Sequence, residues 1–189
     1  MQSIERLASE TRVLLGIPDD ERPDLLDLLR RLRMRGVISD FRSAGENELG
    51  KADARWVRED KLILVSDRIW DRLEDAQEGD VRFTVYHEVG HAVLNHPTRN
   101  RMPDGRLQFG RDIERHELEA DDFALAFGIP LNIPTDPFDL GLLVKQFGLT
   151  ELMTSRRMHA LQKGIRPSRA LPWKDFSMVE PTTDDDWNF

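Results

Sequence analysis

The chain has 189 residues and a mass of 21.9 kDa, the size of one ordinary domain or of one domain with a short appendage. Its 39% apolar and 33% charged residues describe a chain that buries a core in water, which sets aside collagen-like and wholly disordered classes. With 27 basic against 35 acidic side chains the net charge is -8, so non-specific binding to nucleic acid is not its default property. The absence of cysteine excludes a disulfide framework, Cys-ligated zinc, iron–sulfur clusters and thiol catalysis. No apolar run approaches the roughly 18–20 residues of a membrane span. The opening MQSIERLASETR lacks the basic-then-apolar layout of a secretory signal, so a cytoplasmic location without membrane partners is expected.

Ile4, Leu7, Val13, Leu14 and Leu15 recur at helical spacing and predict a first helix that stops near Gly16. Asp19, Asp20 and Glu21 supply acceptors for the start of a second helix, with Pro23 in its first turn, an apolar face from Leu25 to Leu32 and an end near Gly36. The period then changes. Val37–Phe41 is strand-like, 43–51 reads as a loop, and ARWV followed by KLILV reads as a β-hairpin turning at Arg58-Glu59-Asp60. Helical pattern returns over 67–76 and 81–94, the latter closed by His96-Pro97. A polar loop spans 97–111, a helix 112–127, and two further helices 137–148 and 150–163. The remainder is proline-broken and acidic. The fold class expected is α+β: a helical lead (1–36), a core (37–130) with a small antiparallel sheet of about three strands, and a C-terminal helix pair (137–163), together one domain over 1–164. Residues 165–189 are expected to be an extended or partly disordered tail, with Trp173, Phe176 and Trp187 able to dock on the body.

The strongest signal is Phe83-Thr84-Val85-Tyr86-His87-Glu88-Val89-Gly90-His91. His87 and His91 lie four apart on a helix, so their side chains share one face and can close on one metal. Glu88, beside the first ligand, is placed to act as general base without ligating, the pattern of the H-E-x-x-H zinc motif. A catalytic zinc ion (Zn2+) usually takes three protein ligands. His96, past the helix end, reads better as a histidine favourable to the helix dipole, and His116 lacks a pattern. Glu117 is the third ligand preferred, because Glu117 and Asp121 share a helical face and Asp121 can then accept the free ring N–H of a ligand histidine. Glu119 reads as solvated. Tyr86 is turned about 100° from His87 and reads as structural. His159 and Arg156 on the last helix are the candidates for stabilising an oxyanion.

The stretches RFTVYHEVGHAVLNH and ELEADDFALAFGIP resemble the ImmA/IrrE family of metallo-endopeptidases, as do the upstream KLILV strand and the downstream LLVKQFGLTELMTSRRMHALQKG, over roughly residues 50–163. The resemblance implies a zincin-like minimal metalloprotease with His87, His91 and Glu117 on zinc, Glu88 as base and Asp121 behind a ligand. It also implies a regulatory protease that cuts a helix-turn-helix repressor and derepresses phage, mobile-element or stress genes, with single-stranded DNA as a possible trigger. Tyr86, Asn95-His96, the long 97–111 loop and Gly128-Ile129 depart from the family pattern, and these bear on substrate choice rather than on the ligands. Arg30, Arg31 and Arg33, with Arg35 and Arg42 close by, and Arg99 and Arg101 in the loop form two basic clusters that can meet phosphate or an acidic partner, or simply be solvated and paired with a net-acidic body. Two other classes compete with a site-specific protease: a general peptidase of short peptides, and a non-hydrolytic regulator in which zinc is structural.

Overall fold

Helix α1 (Ile4–Leu15) begins at Ser3, whose hydroxyl accepts from the Arg6 N–H, and ends at Gly16 in the left-handed region. There Gly16 N–H bonds Val13 O (3.1 Å) and Ile17 N–H bonds Arg12 O (2.9 Å), the paired bonds of a Schellman stop. The chain is described here from a computed structural model covering residues 3–73, 79–98, 111–133 and 139–162. Helix α2 (Leu25–Met34) starts later than its acidic run suggests. Asp24 caps it by accepting from Asp27 N–H, while Asp19–Glu21 lie in the preceding turn. It ends in a second Schellman stop at Gly36, with Val37 N–H on Leu32 O (3.0 Å). Val37 and Ile38 therefore owe their apolar character to closing that helix, and the first strand, β1, runs Asp40–Ala44 rather than 37–41.

After β1 come a short helix α3 (Glu46–Leu49) inside the expected loop, strands β2 (Ala54–Val57) and β3 (Leu62–Ser66), and a one-turn helix α4 (Asp67–Trp70). The hairpin of β2 and β3 is antiparallel, pairing Trp56 with Ile63. β1, however, pairs with β3 in parallel, Phe41 opposite Ile63, and the order is β1-β3-β2. The expected all-antiparallel sheet is thus a mixed one. The segment through α3 and β2 carries the chain across the sheet, so that β1 meets β3 running the same way. The central strand β3 buries Ile63, Leu64 and Val65 in succession, which explains an unbroken apolar run.

Four helices complete the described residues: α5 (Gly79–Val93), α6 (Arg111–Gly128), α7 (Leu140–Phe147) and α8 (Glu151–Gln162). Val81, Val85 and Val89 of α5 are fully buried against Phe123 and Phe127 of α6 in a core shared with α1, α2 and β3. Burying such a side chain contributes about 1.5–3 kcal/mol. Three buried arginines satisfy backbone carbonyls between elements. Arg12 donates to Phe127 O (2.7 Å) and Glu21 O (2.7 Å), Arg82 to Pro23 O (2.6 Å), and Arg157 to Ile129 O (2.9 Å) while pairing with Glu5. The start of α5 lies so close to the α7–α8 turn that a Cβ at Gly79 would stand 2.6 Å from Thr150 N. The C-terminal helix pair is therefore packed into the body. No described helix is long and apolar enough to cross a membrane.

Candidate metal centre

The close approach of α5 and α6 creates the site. A Cβ at Gly90 would lie 3.0 Å from Ala120 O and 3.1 Å from Phe123 Cδ1, so the two helices meet where α5 has no side chain. About one turn before that contact on α5 stands His87, immediately after it stands His91, and one turn before Ala120 on α6 stands Glu117. His87 Nε2 and His91 Nε2 are 3.0 Å apart, and Glu117 Oε2 and Oε1 lie 3.7 Å and 3.6 Å from them respectively. Bonds of about 2.0–2.1 Å to a tetrahedral zinc set donor atoms about 3.3 Å apart, so this triangle has the dimensions of one face of such a site. These three residues form a group able to hold a metal ion.

His87 Nδ1 is 2.8 Å from Asp121 Oδ1, which orients the ring and keeps Nε2 turned to the triangle. Glu88 is 8% exposed and accepts the Trp56 backbone N–H of β2. Burial raises its proton affinity above that of an ordinary carboxylate, as a proton-accepting carboxylate in a cleft requires. Burial opposes charge on His87, yet its bonds to Asp121 and Glu117 and the charge of Glu88 outweigh this and raise its pKa to about 10. His91 is held down to about 3, by burial and then by the charge on His87. The carboxylates thus hold one positive charge at the paired imidazoles, and a divalent cation fits the same electrostatic need. Glu88, the three donors and the β2 residues Arg55 and Trp56 line an open cleft of about 330 Å³.

Arg156 NH1 is 3.9 Å from Asp121 Oδ2, behind His87, and among the described residues lining the cleft there is neither Arg156 nor His159. Tyr86 is buried, its hydroxyl accepting from Arg82 (3.1 Å) and its ring edge-on to Phe127, a structural position. Of the first basic cluster, Arg30 is exposed, Arg31 pairs with Asp27 (2.7 Å), and Arg33 pairs with Asp40 (3.2 Å) and lies over Phe41. Arg99, Arg101 and the aromatic tail lie outside the described residues.

His96 stands just past the C-terminus of α5, as expected, but it is 5% exposed and engaged in the site, with Nδ1 2.9 Å from His91 Nδ1 and Nε2 3.1 Å from Glu119 Oε2. Glu119 is therefore engaged rather than solvated. His116 stacks on His96 with ring centroids 4.4 Å apart, and His96, His116 and Glu119 form a second group of metal-binding residue types. The sequence signal was Asn95, a residue that tolerates the left-handed region and so turns the next side chain back on the helix. Comparison with protein-family models, curated proteins and solved structures finds no match.

Proposed function

We propose that this chain is a zinc-dependent endopeptidase of zincin-like fold, related to the ImmA/IrrE metallo-endopeptidases its motifs resemble. The observation that carries the reading is the convergence of His87 Nε2, His91 Nε2 and Glu117 at tetrahedral spacing beside the buried carboxyl of Glu88 in one cleft. Two imidazoles and one carboxylate are the donor set of a catalytic zinc site, which keeps a fourth position open. When bound, the ion supplies Lewis-acid polarisation of a carbonyl and lowers the pKa of a water.

The chain's own residues do the rest. Glu88 takes the proton of the attacking water and returns it to the leaving amine. Asp121 holds His87 in the tautomer that presents Nε2. β2 pairs only with β3 among the described residues and flanks the cleft, so an extended peptide can lie along its other edge. The substrate proposed is one partner protein cut at one bond, a helix-turn-helix repressor whose loss derepresses phage, mobile-element or stress genes, in the cytoplasm.

The test co-expresses a neighbouring helix-turn-helix repressor with the wild type and with Glu88→Gln, with and without single-stranded DNA, and reads repressor mass. One new cleavage in the wild-type arm alone is the expected result, and its dependence on DNA identifies the trigger. Hydrolysis of many unrelated short peptides with the repressor intact would replace this reading by a general peptidase. Full function of Glu88→Gln would replace it by a non-hydrolytic regulator.

A further inference from the structure

We propose that His96 and Glu119 form a relay that fixes the tautomer of His91, and that they are not half of a second metal site. The inference rests on reading His87, His91 and Glu117 as the metal centre.

The relay is a consequence of how α5 stops. Asn95 adopts φ 54, and the N–H groups of Asn95 and His96 bond Ala92 O (3.2 Å) and His91 O (2.9 Å). This is the same Schellman pairing that ends α1 and α2. In those helices the residue after the left-handed one is Ile17 or Val37, an apolar group folded back on the last turn, as such stops commonly require. Here the returning side chain is an imidazole, and the residue it returns to is a metal ligand. The hairpin locks the turn in place: Arg58 Nε donates to Asn95 Oδ1 (3.0 Å), and Trp56 Nε1 donates to His96 O (3.1 Å).

Proton inventory then assigns every nitrogen. His91 Nε2 faces His87 and Glu117, so as a ligand it presents a lone pair there, and the one proton of the neutral ring sits on Nδ1. That proton points at His96 Nδ1, 2.9 Å away, which must accept it. The proton of His96 is therefore on Nε2, where it is donated to Glu119 Oε2 at 3.1 Å. Both ligand histidines are thus backed by a carboxylate, His87 directly by Asp121 and His91 through one intervening imidazole.

The same inventory sets the second group against the first. A metal on His96 Nε2 would move that ring's proton to Nδ1, making His91 Nδ1 the acceptor and protonating His91 Nε2, which would then be lost as a ligand. His116 also meets His96 face to face, with rings 29° from parallel. His96 and Glu119 are positioning residues.

The test loads the full chain with zinc alone. Stoichiometry, affinity against a chromophoric chelator, and the 15N–1H couplings of the imidazoles are measured, with no reliance on peptidase activity. One zinc per chain is expected, with the Nδ1–H form at His91 and the Nε2–H form at His96. His96→Phe should weaken zinc about 10–100-fold, whereas His96→Gln, whose amide can accept from His91 and donate to Glu119, should lose far less. Two zinc ions per chain, an Nδ1–H form at His96, or undiminished affinity in His96→Phe would each overturn the relay. The couplings are read on the wild type, so the test survives misfolding of a variant. A wild type that binds no zinc overturns the metal centre and the relay together. One zinc, correct tautomers and no cleavage of any protein would remove the endopeptidase reading and leave the relay standing.

Discussion

Glu88 and Asp122 are both buried carboxyls, and they respond to burial in different company. Glu88 faces the cleft beside two imidazoles, where a raised proton affinity serves proton transfer. Glu88→Gln keeps the shape and all three donors, so zinc affinity should stay near wild type while turnover falls by about 10²–10⁴; equal loss of both in a titration would remove its role as base. Asp122 follows Asp121 on α6, and burial, opposed by Arg156 and reinforced by Asp121 and Glu5, pushes its pKa to about 7 from an ordinary 3.8. The folded state therefore binds this proton more tightly than the unfolded one. The stability so gained is fully present below about pH 4 and is lost as pH rises through 7. Asp122→Asn, which cannot ionise, should melt with the wild type at pH 4 and above it at pH 8, and a pH-independent difference in Tm would contradict this. At this scale Glu117 and Asp121 were legible because i,i+4 spacing fixes a helical face. His96 and Glu119 were not, since their contact depends on one left-handed backbone angle at Asn95 and on the distance between two helices.

Between elements, the decisive contact is that of α5 with α6 at Gly90. Gly90→Ala places a methyl 3.0 Å from Ala120 O, a backbone atom that cannot rotate away. The substitution gains up to about 1 kcal/mol of helix propensity and costs about 1–3 kcal/mol in overpacking. Its larger expected effect is on zinc affinity, because parting the helices moves Glu117 from the imidazoles; a chelator competition showing unchanged affinity would place the ligand geometry under other control. Periodicity and stop signals located these helices within about two residues, 81–94 against Gly79–Val93 and 112–127 against Arg111–Gly128. The sheet was less legible. Alternation and apolar runs reveal which residues a strand buries and say nothing of which way its neighbour runs, so the parallel pairing of β1 with β3 was invisible. The misplacement of β1 has a separate cause: Val37 and Ile38 carry strand-like chemistry but serve the stop of α2.

Across the whole molecule, the frame of the site is closed by residues far apart in the chain. Arg157 on α8, 1% exposed, donates to the carbonyl of Ile129 and pairs with Glu5 on α1. Removing one partner of a buried pair costs about 3–5 kcal/mol, and with Glu5 still 21% exposed the lower end applies. Glu5→Gln should accordingly lower the urea midpoint without altering the zinc donors. Zinc itself should tie α5 to α6. At free metal 1,000 times its Kd it adds about 4 kcal/mol to folding, so a chelator should lower Tm by several degrees, and an identical Tm would show that the ion bridges nothing.

The Glu5–Arg157 pair also has a meaning in time. A chain emerging from the ribosome has made His87, His91 and Glu117 well before it makes Arg157, and until α8 is out, Glu5 and the carbonyl of Ile129 have no guanidinium to join them. The three donors are therefore synthesised into a body whose first helix is held to α6 by Arg12 and the shared core but still lacks its tie to α8. A growing polypeptide would hold the parts of its metal site while still lacking the second of the two arginine ties between α1 and the end of α6, so the synthesis of one late arginine dates the moment at which the site acquires its finished surroundings.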